Sequence, residues 1–329
     1  MLIRNIVKLD EKDRKILHEL DVNARQSYSS IGKKVGLTIP SVRDRIKSLM
    51  DREILLGYLA VINTEKIGYT FFNLYLKTHF SGWEEEKEFV EYLKAHPNVG
   101  WLATFSGLWT MKTGIIAKDR NHFEEISREI FTKAGKNLID RTTTQPLAAY
   151  VCKHKFLDKE KLMEGGVYKT GKPEKLDETD LKILLLLDTD PRIHLMDIAK
   201  RANVSIWQAK YRIKNLMQRG VLQELRPIIN LPKLGYHWYH IQFRLLNVDE
   251  KEKVRFISYL KAHPSVFYIL DLVGACNVVA EFLIETNKKL EETIKEIKNK
   301  FSGIISSHEP MLIIKEHKHS YFPRNIVEV

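Results

Sequence analysis

The feature that most constrains this chain is that it is written twice. Leu9-Asp-Glu-Lys-Asp-Arg-Lys-Ile-Leu recurs as Leu176-Asp-Glu-Thr-Asp-Leu-Lys-Ile-Leu, 167 positions later. The same offset lays Arg25 on Arg192, Arg45 on Arg212, Leu49 on Leu216, Asn63 on Asn230 and Gly68 on Gly235. It also lays Tyr92-Leu-Lys-Ala-His-Pro on Tyr259-Leu-Lys-Ala-His-Pro and still holds at Gly107 and Gly274. A register this long without gaps marks a duplicated unit, so the fold must be built from two copies of one architecture. Between the copies, residues 157–175 carry Gly165, Gly166, Gly171 and Pro173 among charges and read as an exposed linker.

Composition narrows the class. With 44% hydrophobic and 29% charged residues in 329, the chain reads as globular rather than disordered or rod-like. Apolar runs such as Ile183 to Leu187 fall far short of the ~20 residues that cross a bilayer, so no membrane partner is expected. The first ten residues lack the apolar core of a secretory signal. Two cysteines are too few for a disulfide framework, and the expected location is cytoplasmic. Of the net charge of +11, +4 lies in residues 1–72 and +3 in residues 176–239, so the opening segment of each copy carries most of the excess. A concentrated basic surface favours a polyanionic partner.

Those opening segments read as three short helices. Ile16, Leu17 and Leu20 recur at helical spacing behind Asp10, a second helix runs from about Ser29 to Val35, and Gly36 can supply its left-handed stop. Thr38 caps a third helix with the inward stripe Val42, Ile46, Leu49 and Met50. The second copy repeats this with Ser205 as cap and Ala209, Ile213, Leu216 and Met217 as stripe. A tight turn before the last of three helices makes a helix-turn-helix, whose third helix enters the major groove of DNA. The outward residues would be Pro40, Ser41, Arg43, Asp44 and Lys47 in one copy, and Trp207, Gln208, Lys210, Tyr211 and Lys214 in the other. Arg and Lys suit guanine and phosphate, and Gln suits adenine, so double-stranded DNA is the expected partner. Arg45 and Arg212 occupy equivalent places and are expected to brace the helices or hold phosphate. Asp44 stands opposite Tyr211 and Ser41 opposite Gln208, which predicts an imperfect inverted repeat as operator.

On Leu-Asp-x-x-Asp-x-x-Ile-Leu, the following Arg25 or Arg192, and the capped Arg-Ile-x-x-Leu helix, the chain resembles a tandem duplication of the Lrp/AsnC family of prokaryotic feast/famine transcription regulators. Gly57-Tyr-Leu-Ala-Val-Ile-Asn and the weaker Pro-Ile-Ile-Asn at 227–230 extend the likeness. The resemblance implies, in each copy, a winged-helix-like DNA-binding module followed by a ferredoxin-like regulatory domain that often senses amino acids. Members usually carry one unit and dimerise, so this chain would be a built-in pseudo-dimer, with higher homo-oligomers open.

The trailing segments give the same α+β class from their own pattern. Phe71 to Phe80, a helix from Trp83 to Ala95, Val99 to Phe105, Met111 to Ala117, a helix from about Asn121 to Phe131 and a strand from about Ile139 spell βαββαβ, and the second copy repeats the order. The expected division is 1–58 and 176–225 for the helix-turn-helix domains, 59–156 and 226–329 for the ferredoxin-like domains, with the two sheets packed on each other.

For an effector, the resemblance points to the glycine turn between the second and third strands, which in the family commonly continues to an acidic residue. Here the turns read Gly107-Leu-Trp109-Thr110 and Gly274-Ala-Cys276-Asn277, with no acid in either. These domains then bind an amino acid or another small molecule, or act only as an assembly surface. No phosphate-binding glycine loop occurs, and no cofactor is expected. Cys152 with His154, and His317 with His319, each offer two ligands on one side of a strand; two do not close a metal site, and an exposed strand end is the expected reading. The same architecture also resembles the sirohaem decarboxylases. Trp101-Leu-Ala-Thr-Phe and Tyr268-Ile-Leu-Asp-Leu, however, lack the Tyr, Asn, Arg and His cluster expected around an acidic tetrapyrrole, so the sequence reads as a regulator and not an enzyme.

Overall fold

The computed structural model describes residues 6–157, 166–169, 171–247 and 249–327. Each of the first three helices starts where a side chain can satisfy its free amides. Asp10 caps α1 (Glu11–Val22), Ser27 caps α2 (Tyr28–Val35) and Thr38 caps α3 (Ile39–Asp51), each accepting from the amide three residues on. Gly36 ends α2 at φ 66°. Then come β1 (Leu55–Ile62), β2 (Thr70–Thr78), α4 (Trp83–Ala95), β3 (Val99–Ser106), β4 (Met111–Ala117), α5 (Arg120–Ala134) and β5 (Leu138–Val151). A short strand β6 (Val167–Lys169) follows.

The second copy repeats the order: α6 (Glu178–Thr189), α7 (Leu195–Arg201), α8 (Ile206–Gln218), β7 (Leu222–Ile229), β8 (His237–Leu245), α9 (Glu250–Ala262), β9 (Val266–Gly274), β10 (Val278–Ile284), α10 (Asn287–Lys300) and β11 (Ile305–His319). Asn203, 167 positions after Gly36, takes φ 53° at the same turn, a conformation Asn tolerates better than most residues. The expected inward stripes hold except at their last members. Val42, Ile46 and Leu49 are buried, as are Ala209, Ile213 and Leu216, but Met50 and Met217 are both 39% exposed. One residue beyond Leu49 or Leu216 turns ~100° around the helix, out of the core.

β1 and β7 pair antiparallel, Tyr58 opposite Pro227 and Ala60 opposite Leu225, making a two-stranded ribbon from both copies. The anticipated divisions at 58/59 and 225/226 run through these strands, so helical and sheet units share the ribbon. The remaining strands form one sheet in the order β2-β4-β3-β11-β8-β10-β9-β5-β6, and an extra β2–β5 pairing closes eight of them into a ring. The two expected sheets do face each other, with the Tyr75 hydroxyl 3.0 Å from His240 Nε2 between them, but they are not separate. The 14-residue β5 pairs with β2 through Thr144 and then with β9, while β11 pairs with β8 and, beyond Leu312, with β3. Strands this long outrun their own sheet, and their far halves satisfy edge groups of the other. Helices α4 and α5 cover one outer face over Leu74, Leu102 and Ile115; α9 and α10 cover the other over Ile241, Ile269 and Phe282.

The linker is more engaged than expected. Leu157 is buried, β6 pairs with β5, the Gly171 amide donates to Glu65 Oε2 at 2.7 Å and the Glu174 amide to the Lys66 carbonyl at 2.9 Å. Residues 158–165 and 170, which include Gly165, lie outside the described residues. No helix among the described residues is long and apolar enough to cross a membrane.

Candidate nucleic-acid interface

Helices α3 and α8 each turn an apolar side inward and leave the opposite side free of the core. On α3, Pro40, Arg43, Asp44 and Lys47 are exposed and Ser41 is half-buried; Arg43 Nε lies 3.5 Å from Asp44 Oδ1. Thr38 and Ser41 are occupied at the helix start, where their hydroxyls lie 2.9 Å apart and Thr38 accepts from the Ser41 amide. On α8, Trp207, Gln208, Lys210, Tyr211 and Lys214 are exposed. Trp207 is 72% exposed and its ring stacks on Tyr211 with centroids 5.6 Å apart, a large aromatic surface facing water. Ser205 and Gln208 form a capping box, with Gln208 Oε1 accepting from the Ser205 amide at 2.9 Å. That oxygen must leave the box before Gln208 can pair bidentately with adenine.

Arg45 and Arg212 point elsewhere. Arg45 Nη1 donates to Asp10 Oδ2 at 2.6 Å and Asp13 Oδ1 at 2.7 Å; Arg212 Nη1 donates to Asp177 Oδ1 at 2.9 Å and Asp180 Oδ1 at 2.8 Å. Each therefore ties the third helix to the start of the first, at equivalent positions. Asp10 is held below its ordinary range by the Asp13 amide and by Arg45, which ties this brace to the carboxylate form.

A buried charge cluster joins the first helical unit to the ribbon. Burial opposes ionisation of Asp21, but His154, Arg226 and Lys153 around it outweigh that and hold its carboxyl far below the usual range. Lys153 also meets Glu224 at 2.7 Å. Cys152 and His154 thus sit in the interior, against the expectation of an exposed strand end: both are under a tenth exposed, and the His154 ring stacks on Phe267. The chain turns inward after β5, where Asp21 fixes the His154 amide at 2.9 Å. His317 and His319 are half-buried on β11.

The glycine-turn residues are spent on the turn itself. Thr110 Oγ1 accepts from the Thr78 amide at 2.9 Å, and Asn277 Oδ1 accepts from the Leu245 amide at 2.8 Å, the same tie in both copies. Trp109 and Cys276 are buried, and burial raises the Cys276 thiol to about 11. A Cβ on Gly107 would meet Met311 Cγ at 2.7 Å and one on Gly274 would meet the Thr143 carbonyl at 2.6 Å. These residues shape a hairpin against its neighbours.

Sequence reasoning missed a half-open cavity of ≈ 200 Å³ between the β1–β7 ribbon and the strand ring. Lys112, Glu281 and Glu316 line it together with Trp101, Trp238 and Tyr268. The available signal was a charge inside an apolar strand, Lys112 in Met-Lys-Thr-Gly-Ile-Ile-Ala and Glu281 in Val-Val-Ala-Glu-Phe-Leu-Ile.

Residues 9–50 match the AsnC-type helix-turn-helix domain, and residues 176–223 match a winged helix-turn-helix DNA-binding domain. The chain is 28% identical over 138 residues to an uncharacterised HTH-type transcriptional regulator of Pyrococcus horikoshii, covering 42% of this chain and 86% of that protein. It is 24% identical over 143 residues to the HTH-type transcriptional regulator FL11 of Pyrococcus furiosus, covering 44% and 92%. Over the whole length the fold is similar to the crystal structure of the siroheme decarboxylase NirDL, with a TM-score of 0.64, 14% identity and coverage of 95% of this chain and 94% of that one. The expectation that the chain is not an enzyme is corrected by that likeness, since the full two-copy fold is one an enzyme uses. The duplication and the two helix-turn-helix matches, the first of AsnC type, together with these regulator relatives, make each half of the chain similar to Lrp/AsnC-type transcription regulators.

Proposed function

We propose that this protein is a sequence-specific DNA-binding transcription regulator that engages duplex DNA through α3 and α8 as a single-chain pseudo-dimer. The observation that carries this reading is the pair of exposed helix faces at equivalent positions, each held by an arginine brace and each outside the hydrophobic core. The faces differ: a small, mixed-charge surface of Ser41, Arg43 and Asp44 on one, and a stacked Trp207–Tyr211 pair flanked by Lys210 and Lys214 on the other. Unlike probes read unlike half-sites, so the operator is an imperfect inverted repeat with centres about 34–36 Å, or a multiple of that, apart.

Selection of bound genomic fragments by the purified chain at a stated salt concentration, followed by footprinting, tests binding, preference and spacing together. Protection of two unlike half-sites supports the reading; protection of one half-site or a perfectly symmetric site counts against it. Because an enzyme shares the fold, the same preparation is mixed with sirohaem and followed by absorbance. Loss of its carboxylates without any DNA shift would replace regulation by catalysis.

A further inference from the structure

The outward face of α8 carries a surface that the core does not use. Trp207, Lys210, Tyr211 and Lys214 follow one another at helical spacing, so they form one stripe along the helix, and all of them are exposed. Trp207 is 72% and Tyr211 56% exposed, and their rings lie nearly parallel, 8° apart in plane with centroids separated by 5.6 Å. Each ring positions the other, so the pair forms one apolar plate. Leaving that much aromatic surface in water is unfavourable, and a patch of this kind marks a surface that a partner covers.

The flanking charges name the partner. Lys210 and Lys214 stand on the same stripe as the plate, and cations beside an apolar surface match a groove walled by phosphates. At the 167-residue offset, Trp207 corresponds to Pro40 and Tyr211 to Asp44, while Lys210 and Lys214 correspond to Arg43 and Lys47. Both copies keep the cations, and one alone carries the plate. The neighbouring Gln208 is held in its capping box, which leaves the rings to meet the base edges.

Those edges are lined with donors and acceptors in the major groove, and the C5 methyl of thymine is the one apolar group that projects from them. An apolar plate laid on a polar edge strips away water and returns no hydrogen bond, which costs free energy. Laid on a methyl, it buries apolar surface on both sides. We propose that Trp207 and Tyr211 read thymine methyl groups, so that thymine specifies the half-site under α8 and does not specify the half-site under α3. This inference rests on the DNA-binding reading and adds the base that α8 recognises.

The test begins with the full chain selecting duplexes from a random-sequence pool at a stated salt concentration, and footprinting divides the tightest of them into two half-sites. Each half-site is remade with deoxyuridine for thymidine, which deletes the methyl and keeps the pairing. Expected are binding weaker by about fourfold for each buried methyl lost at one half-site, little change at the other, and no response to uracil in the double variant Trp207→Ala with Tyr211→Ala. Half-sites without thymine, equal or absent responses at both, or a response that survives the double variant would overturn the assignment while leaving DNA binding in place. An aromatic wedge between base steps gives an absent response, because uracil stacks much as thymine does. No complex with any duplex of the pool would remove the DNA-binding reading itself, and this inference with it. Should the double variant fail to fold, Trp207→Ala alone carries the comparison.

Discussion

Arg25 and Arg192, 167 positions apart, each donate to the backbone of the turn that carries the other. Arg25 Nη1 reaches the Pro191 and Ile193 carbonyls at 2.9 and 3.1 Å, while Arg192 reaches those of Ala24 and Gln26. Arg192 also lies over the Tyr28 and Tyr58 rings. Two helix-turn-helix units are thereby clamped directly to each other, and the ribbon continues the clamp through Ala24 to Leu225. These contacts and the β1–β7 ribbon join the two units directly, in addition to the connecting segment.

Replacing both arginines with methionine removes charge-assisted bonds worth about 1.5–3 kcal/mol per group. The expected result is a lower urea midpoint together with footprints whose two half-sites are protected unequally. Unfolding curves and footprinting on the same double variant check it. An unchanged midpoint would show that the ribbon alone holds the units.

Arg212→Ala should destabilise more than Arg45→Ala. Losing Arg45 leaves buried Asp13 with Arg52 at 3.2 Å, whereas losing Arg212 leaves buried Asp180 with no other basic partner among the described residues. The equivalent of Arg52 is Arg219, which turns to Glu174 instead. Expected losses are about 1 kcal/mol for Arg45→Ala and about 3 kcal/mol for Arg212→Ala, with Arg43→Ala within about 0.5 kcal/mol of the unaltered protein. Denaturant unfolding of the three variants ranks them.

On α8 the expected effects fall on DNA and not on stability. Lys210→Ala with Lys214→Ala should reduce the slope of log affinity against log salt by up to about 0.9 per lost phosphate contact. Trp207→Ala, at a site 72% exposed, should leave unfolding nearly unchanged while relaxing preference at one half-site. Titrations at several salt concentrations measure the first, and selection from a randomised half-site the second. An unaltered slope would place both lysines away from the DNA backbone.

Stability should also fall on mild acidification. Burial, reinforced by Lys112, holds His240 down to about 4 against an ordinary value of 6.5. Between those values the unfolded chain binds a proton that the folded chain refuses, so stability drops as pH falls from about 6.5 towards 4 and is level outside that window. The contribution is on the order of 3 kcal/mol. His263, also near 4, acts in the same window, so a substitution at His240 removes only part of the slope. His240→Asn places the residue found at the equivalent Asn73, and urea unfolding at pH 7 and pH 5 should show a smaller difference for the variant than for the parent.

Most helix ends were legible because they depend on neighbours in sequence. Asp10, Thr38 and Ser205 cap the helices they precede, and Gly36 stops one by its own backbone freedom. The α3 and α8 faces were legible because helical periodicity separates Val42 and Ile46 from Arg43 and Lys47 without reference to the rest of the chain. Met50 and Met217 continue the stripe in hydrophobicity but not in angle, and both remain exposed. The cavity escaped because Trp101, Lys112, Tyr268, Glu281 and Glu316 come from five strands, two of which also look wholly apolar but for one charge.

By itself, then, the order of residues determined the duplication, the helix caps, the βαββαβ succession and the two outward helix faces, all consequences of short-range periodicity and of one constant offset. Only the tertiary structure decided that β5 and β11 cross from one sheet to the other and close a ring, that Arg25 and Arg192 clamp the two copies, and that Lys112 comes to rest over the Trp101 ring in a cavity it shares with Glu281. Those outcomes rest on contacts between segments far apart in the chain, where pairing of edge groups and the shape of the enclosed space select partners that no local pattern names.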